Sequence, residues 1–328
     1  MTSLAGNLQL TEDASGQRAQ AGLNASKSPS GDNVRLGVAA ILATVLAMSL
    51  GDAAIKLLST NFVLWQIFVL RSVIAIPVLI ALIKIRSRTA SLLPRRPGWV
   101  ALRSLMLSLL WVAYYAALPH LPLGVAAATL YTLPLFITLF AAIFLGDRVG
   151  SKGWSAVALG FLGVLLILKP ETGGFNAYAL LPLVAAILDS SAMILTRTKC
   201  RTESPLVLSL SLNFVFVSVG LVASLLATIL GGAVDGTGDV SFLSGERVPM
   251  GSTEWVAMAL LATASLIASI GVSVAYQVGP PATIATFDFA YVGFAGFWGI
   301  LIFAEIPSTT TIAGIGLIVA AGIVAVRR

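Results

Sequence analysis

The sequence predicts an all-α membrane protein of ten transmembrane helices, arranged as two inverted five-helix repeats. Three observations predict this fold. Hydrophobic residues make up 58% of the 328 residues and charged residues only 10%, far below the roughly 25% charged residues of an average soluble protein. The apolar residues gather into ten runs long enough to cross a bilayer. Motifs of the first five runs recur in the last five, and an odd number of spans inverts the second copy.

Each predicted span is an apolar run that Pro, Gly or charged residues close. The spans are 36–58, 62–83, 99–118, 122–145, 154–169, 177–198, 205–230, 255–278, 281–304 and 310–326. They group into a first repeat over residues 34–170 and a second repeat over residues 171–328. Residues 1–33 are polar and contain no apolar segment like that of a signal peptide, so we expect a disordered cytosolic tail.

The basic residues indicate orientation. Lys and Arg number five in residues 84–98, two in 146–153, three in 197–204 and two at the end of the chain, whereas the opposite side has only Lys169 and Arg247. The positive-inside rule therefore predicts a multi-pass protein of the cytoplasmic membrane with both termini in the cytosol. Because these charges lie in short loops, the net charge of +6 does not indicate a nucleic-acid partner.

The internal repeat is visible in matched segments. Leu145-Gly-Asp147 recurs as Phe303-Ala-Glu305, and Trp99-Val-Ala101 recurs as Trp255-Val-Ala257, with shifts of 158 and 156 residues in the numbering. The first span of each half also contains an acid, Asp52 in one and Asp189 in the other.

Several of these motifs carry a family resemblance. They are Leu57 to Pro77 with Arg71, Tyr131-Thr-Leu-Pro-Leu135, Leu145-Gly-Asp-Arg-Val149 leading into Gly160 and Gly163, and Phe303-Ala-Glu-Ile-Pro307 leading into Gly314, Gly316 and Gly322. Over residues 36 to 326 the chain resembles the drug/metabolite transporter superfamily, in its ten-helix EamA-type branch. Asp147 stands where this family more often has Glu, and Val292 stands near the position that matches Pro134.

The resemblance implies secondary transport of a small organic metabolite, which is amino acid-like, cofactor-like or drug-like, across the cytoplasmic membrane by alternating access. The acids inside the predicted spans, described below, add proton coupling or exchange as the expected energy source, and we expect no enzyme activity and no cofactor. We expect a small-molecule substrate, the lipid bilayer and, as a further option, a second copy of the chain as partners.

Asp52 and Arg71 are the first pair of candidate substrate-binding residues. A charge at the centre of a bilayer helix costs roughly 2.5 to 3.5 kcal/mol on insertion scales, so it seldom persists there without a use. Helix rise places the two at similar depths, roughly 9 and 14 Å. They form either a static ion pair or a substrate-binding site, since a guanidinium suits a carboxylate. Lys56 either competes for Asp52 or extends to the headgroups.

Asp189 and Asp288 are the candidate proton-coupling residues. Both lie in the inner half of the predicted membrane span, and the neighbouring Arg103 is expected to extend to the interface. Two buried carboxyl groups without a cation would not both stay ionised. A proton carrier requires a carboxyl group that can take up and release a proton in this way. The alternative is that each is a neutral carboxyl group bound to a neighbouring helix.

Aromatic residues and one amide are further candidates for the lining of a substrate cavity. They are Trp111, Tyr114, Tyr115, Tyr131, Asn213, Tyr276, Phe287 and Tyr291. For each, ordinary helix packing or lipid contact is the alternative. Pro134 and Gly293 are candidate hinges in the fourth and ninth spans. Small residues in the fifth and tenth spans predict close helix packing or self-association.

Other function classes lack sequence support. With one histidine and one cysteine, the chain has neither an internal disulfide nor a zinc site. No nucleophile and base form a recognisable catalytic motif. An intramembrane channel or scaffold remains an alternative, and an intramembrane aspartate-dependent enzyme is a weaker one.

Overall fold

The computed structural model of the chain describes residues 34–60, 62–86, 88, 91–144, 150–168, 176–230, 241–244, 250–278, 284 and 287–326. The predicted tail, residues 1–33, and the predicted boundary between the repeats at residue 170 lie outside these ranges. Within them, the backbone is almost entirely helical.

The first half contains six of the helices. They are α1 (Val34–Leu58), α2 (Leu64–Arg86), α3 (Pro97–Ala117), α4 (Leu123–Leu130), α5 (Leu133–Phe144) and α6 (Ser151–Leu168). The second half contains α7 (Leu180–Lys199), α8 (Pro205–Leu230), α9 (Ser241–Ser244), α10 (Ser252–Val278), α11 (Ala290–Phe303) and α12 (Thr309–Val326). Short 3-10 turns at Leu118–His120 and Ala177–Ala179 precede α4 and α7.

The described residues contain seven helical segments that are long and apolar enough to cross a membrane. Three shorter apolar helices, Gly153–Ile167, Ala290–Phe303 and Thr309–Val324, coincide with the fifth, ninth and tenth predicted spans. This confirms the predicted all-helical membrane fold. The ninth span differs in extent, because its uninterrupted helix begins at Ala290 rather than near residue 281.

The pattern of helix contacts is the same in both halves. α1 packs against α10 and α11, and its counterpart α7 packs in the same way against α3 and the α4–α5 pair. The other extensive pairings join equivalent helices, α2 with α8 and α6 with α12. Exchanging the two halves therefore leaves the main contacts unchanged, as an inverted repeat requires.

The fourth span is broken near its middle. α4 ends at Leu130, Tyr131 and Thr132 form a turn, and α5 begins at Leu133. Pro134 explains the break, since proline has no backbone N–H and its ring clashes with the carbonyl four residues earlier. The hydroxyl of Ser190 in α7 donates to the Leu133 carbonyl at 2.9 Å, which holds the broken segment against the second repeat.

The ninth span is also interrupted, although it contains no proline there. A turn at Phe289 precedes α11, so the interruption falls before Gly293, which lies within the uninterrupted helix. Phe289 and Tyr131 occupy equivalent positions at a shift of 158 residues. Their rings touch, with centroids 5.4 Å apart, so the two interrupted spans meet at the centre of the bundle.

Glycines bring α6 and α12 into close contact. A Cβ on Gly163 would lie 2.8 Å from the Gly314 carbonyl oxygen, and a Cβ on Gly314 would lie 2.8 Å from the Gly163 carbonyl oxygen. These positions tolerate only glycine, because backbone cannot move aside as a side chain can. The small residues of the fifth and tenth spans thus join the two repeats within one chain, and a homodimer stays a prediction.

Candidate functional site

A cavity of about 340 Å³ lies between α1, α2, α3, α8 and α10. Both repeats contribute to its wall. Five of the predicted site residues line it, namely Asp52, Arg71, Trp111, Tyr115 and Asn213. The lining along α8 runs from Pro205, its first residue, to Phe216. The cavity therefore reaches the end of the bundle at which α8 begins.

Asp52 is bound by tyrosines at the side of this cavity. It is only 3% exposed, and the hydroxyl group of Tyr291 in α11 donates to its Oδ2. The Tyr114 and Tyr291 hydroxyl oxygens are 2.9 Å apart, so Tyr114 donates to Tyr291. The hydroxyl of Tyr115 also lies within hydrogen-bonding reach of Asp52. Tyrosines from both repeats thus meet the carboxyl group.

Arg71 lies in α2 and is 7% exposed. Its guanidinium carbon lies 5.0 Å from the ring centroid of Phe68, 5.7 Å from that of Tyr115 and 4.7 Å from that of Phe216. Its Nη1 donates to the Tyr115 hydroxyl at a long 3.5 Å, and its Nε has no hydrogen-bond partner. We call the three rings the aromatic cage of Arg71.

Asp52 and Arg71 do not form the direct ion pair that the sequence allows. Within the described ranges no salt bridge joins them, and Tyr115 contacts both. Of the two alternatives that the sequence left open, the static pair is therefore not the arrangement observed here.

Lys56 binds elsewhere than the sequence suggested. Its Nζ lies 2.5 Å from Glu305 Oε1 and also donates to the Leu121 carbonyl. Glu305 Oε2 in turn accepts from the backbone N–H of Leu123, the first residue of α4, at 2.8 Å. We call these four residues the clasp. It joins the end of α1 to the end of α11 and the start of α4, at the opposite end of the bundle from Pro205.

The backbone after α11 positions Glu305 for this contact. Ala304 adopts a left-handed conformation with φ 55°, and its N–H donates to the Ile300 carbonyl, as in the αL helix end. The Glu305 N–H returns to the Gly299 carbonyl. A left-handed alanine costs about 1 kcal/mol. The chain thus adopts an unfavourable backbone conformation where it presents the acid to Lys56.

Asp189 and Asp288 lie away from Asp52, around the interrupted spans. Asp189 in α7 is influenced by the charges of Arg103 and Asp288, and Asp288 is within hydrogen-bonding reach of the Tyr131 hydroxyl. Tyr131 also stacks on Tyr291, with ring centroids 4.9 Å apart. Asp288 therefore lies at the break of the fourth span, and Asp189 lies near Asp288 and Arg103.

Arg103 lies in α3 and lines the cavity. Its Nε donates to the Thr196 hydroxyl at 2.7 Å. Its Nη1 is buried and has no hydrogen-bond partner. The close packing of α3 on α7 brings Thr196 within reach of the guanidinium and Asp189 close enough for its charge to act on it.

The remaining candidates take different positions. Phe287 is 40% exposed and is absent from the described lining of the cavity. Tyr276 belongs to α10, but its side chain lies outside what the structure describes. Trp111 lines the cavity beside Tyr115, with ring centroids 5.1 Å apart.

Sequence reasoning missed the aromatic cage. Phe68 precedes Arg71 by three residues, and Phe216 follows Asn213 by three. Residues three apart share a helix face, so each Phe could have been assigned to the face of its neighbouring polar residue. That both rings would meet one guanidinium depends on the packing of α2 against α8, which no spacing within one helix reveals.

Metal chemistry finds no support in the described ranges. No group of three or more His, Cys, Asp or Glu side chains there is placed to hold a metal ion.

Comparisons with known proteins point to one family. Residues 35–169 match the EamA-like transporter family. A riboflavin transporter of Rhizobium johnstonii is 31% identical over 234 residues, which are 70% of each chain. The pseudopaline exporter CntI of Pseudomonas aeruginosa is 26% identical over 90% of this chain and 98% of its own length. A solved structure superimposes with a TM-score of 0.56 at 20% identity, covering 89% of this chain and 95% of that one, which supports the fold alone.

Proposed function

Because the chain belongs to the EamA-like transporter family of the drug/metabolite transporter superfamily, we propose that it is a secondary transporter which moves a small organic metabolite across the cytoplasmic membrane by alternating access. The observation that carries this proposal is the central cavity between the two repeats, lined by Asp52 and Arg71. Substrate sites at the interface of inverted repeats are typical of secondary transporters.

The two ends of the bundle support alternating access. The clasp connects α1, α4 and α11 at one end, whereas the cavity reaches the other end at Pro205. By the positive-inside rule, the end with the cavity faces the cytosol. In this proposal, the structure represents the inward-open state, and opening of the clasp accompanies access from outside.

The size of the cavity supports a metabolite rather than an ion. Small-molecule sites commonly measure about 300 to 1,000 Å³, and this cavity measures about 340 Å³. The named relatives transport riboflavin and pseudopaline. An amino acid-like, cofactor-like or drug-like solute is therefore the substrate class that we infer.

We infer proton coupling through Asp189 and Asp288. Asp288 is within hydrogen-bonding reach of Tyr131 at the interrupted fourth span, the segment that would bend as the repeats move. Asp189 is influenced by the charges of Asp288 and Arg103. A proton taken up there would remove a charge that Arg103 otherwise meets, and so would favour one arrangement of the repeats over the other.

Counterflow in proteoliposomes tests the transport proposal. Vesicles loaded with one unlabelled solute should accumulate the labelled solute transiently and saturably if a carrier exchanges it. A non-saturable flux would indicate a channel and contradict the proposal.

The coupling proposal is tested by Asp189→Asn and Asp288→Asn. Counterflow needs no net proton movement, so each variant should retain it, whereas uphill uptake driven by an imposed pH gradient should be lost in at least one. Unchanged gradient-driven uptake in both variants would exclude these acids as the proton carriers.

A further inference from the structure

We propose that Arg71 is the anion-binding subsite of the cavity and that the transported metabolite is a planar organic anion whose carboxylate binds this guanidinium. The proposal rests on the proposed function, because it names the substrate class of the same cavity. Three features of the molecule support it, namely the contacts of Arg71, the charges that line the cavity and the residues that form its wall.

The hydrogen-bonding capacity of Arg71 is almost unused. A guanidinium carries five N–H donors, and in the part of the chain that the structure describes, the sole hydrogen bond of Arg71 is the long one to Tyr115. Arg71 is only 7% exposed, and its Nε has no hydrogen-bond partner. A buried unpaired donor is costly, so this arrangement fits a site that a ligand completes.

The aromatic cage leaves the in-plane N–H groups of the guanidinium available for a ligand. Phe68, Tyr115 and Phe216 contribute attraction between the cation and their π-electrons, but rings of this kind do not replace acceptors for the in-plane N–H groups. A carboxylate accepts two parallel N–H bonds in that plane. The cage therefore holds the guanidinium in place while its hydrogen-bonding edge remains available.

The charges of the cavity favour an anion. Two cations, Arg71 and Arg103, line the described wall against one acid, Asp52. Asp52 is met by the hydroxyl groups of Tyr291 and Tyr115, and Arg103 also has a buried N–H without a partner. A substrate with a negative group would satisfy unpaired donors, whereas a cationic substrate would add a third positive charge.

The wall of the cavity favours a planar substrate. Trp111, Tyr115 and Phe216 line it, and flat aromatic surfaces stack best on flat ligands. Ser209, Ser265 and Asn213 add polar groups along the same wall, which can orient the substituents of a ring system.

Three probes of equal shape test the proposal. They are 2-naphthoate, the neutral 2-naphthamide and the cationic 2-naphthylmethylammonium, titrated into the purified full chain and followed by calorimetry and by the rise in melting temperature. A charge-assisted hydrogen bond to carboxylate predicts that 2-naphthoate binds at least about tenfold tighter than 2-naphthamide. Equal or weaker binding of 2-naphthoate, or no binding of any probe, would overturn the proposal.

Substitutions of Arg71 test whether this residue causes the preference for 2-naphthoate over 2-naphthamide. Arg71→Gln should lose the preference for 2-naphthoate, and Arg71→Lys should keep part of it because the charge remains without the planar fork. Arg86→Gln removes an exposed charge from the same helix and should bind as the unmodified chain does. If Arg71→Gln does not fold, the ratio of the affinities of Arg71→Lys for 2-naphthoate and 2-naphthamide still tests the proposal. A full preference retained in either Arg71 variant would overturn the proposal.

The same probes separate this inference from the proposed function. Counterflow of 2-naphthamide without any preference for the anion would overturn the inference while supporting transport. Arg71-dependent binding of 2-naphthoate without counterflow of any solute would support the subsite and contradict the transport proposal.

Discussion

Lys56, which is partly buried, and Arg71, which is buried, are cations in neighbouring helices of the first repeat, but their surroundings differ. Lys56 meets a carboxylate at 2.5 Å and a backbone carbonyl, so its charge is matched within the chain. Arg71 meets three aromatic rings, one long hydrogen bond and no carboxylate within ion-pair distance among the described residues. The first cation closes one end of the bundle, and the second faces the cavity.

The comparison distinguishes two kinds of charge inside a membrane protein. A charge matched by the chain itself stabilises the conformation in which the match exists. A charge without a counter-ion at a cavity wall lowers the stability of the fold. Such charges commonly mark the site at which a substrate or ion binds. Substitutions at these two positions and at their neighbours should therefore change the stability of the fold by different amounts.

Breaking the clasp should have the largest effect. Lys56→Met leaves Glu305 without its counter-ion, and removal of one partner of a buried ion pair costs about 3 kcal/mol or more. The Lys56 and Glu305 side chains are 10% and 18% exposed, so we expect the lower end of that range. The free energy of unfolding in detergent measures it. Lys56→Met/Glu305→Gln should recover much of the loss, and a Lys56→Met variant as stable as the unmodified chain would contradict a structural clasp.

Removing the hydroxyl group that binds Asp52 should have the next largest effect. Tyr291→Phe takes one hydrogen bond from the carboxyl group and one from Tyr114, at a cost of about 2 kcal/mol for a group of this kind. Tyr178→Phe is the matched control, since Tyr178 is exposed and should lose little. If Tyr291→Phe is as stable as the control, then Asp52 does not depend on the tyrosines.

Relaxing the end of α11 should stabilise the protein. Ala304→Gly relieves the left-handed backbone of Ala304 and should raise the free energy of unfolding by about 1 kcal/mol, with the clasp unchanged. Ala295→Gly, in the interior of the same helix, should lower it by about 1 kcal/mol. A loss of stability in Ala304→Gly would show that the strain is not located there.

Arg71→Met should have the smallest effect on stability. Because Arg71 forms no salt bridge with a carboxylate among the described residues, its removal breaks no direct ion pair, and we expect a change below about 1 kcal/mol. The comparison with Lys56→Met in the same unfolding assay is the measurement. A loss as large as that of Lys56→Met would identify Arg71 as a structural cation and would remove the contrast between the two positions.

Much of the fold was accessible from the sequence because the bilayer imposes simple rules on it. The first and seventh predicted spans, 36–58 and 205–230, match helices Val34–Leu58 and Pro205–Leu230, since twenty apolar residues can be little else in a membrane. Pro134 marked the interrupted span because its effect on a helix is local. Gly293 did not mark the other interruption, because glycine in a packed membrane helix does not by itself break the hydrogen-bond ladder.

The site was accessible in part for the same reason. Asp52, Arg71 and Asn213 stand out because polar groups inside a membrane are few, and all three line the cavity. Lys56 was assigned to the wrong surroundings, since its partner Glu305 is 249 positions away and its approach depends on the end of another helix. Phe68 and Phe216 escaped notice because aromatic residues are common in membrane helices and only contact with Arg71 distinguishes them.

Hydropathy, loop charge and repeated motifs are properties of order along the chain, and they were enough to identify a helical membrane protein, to locate its helices and to predict two halves in opposite orientation. Only the packing of the helices shows that Lys56 has a carboxylate partner and that Arg71 forms no salt bridge among the described residues. That outcome depends on distances of a few ångströms between helices far apart in sequence, and packing sets those distances.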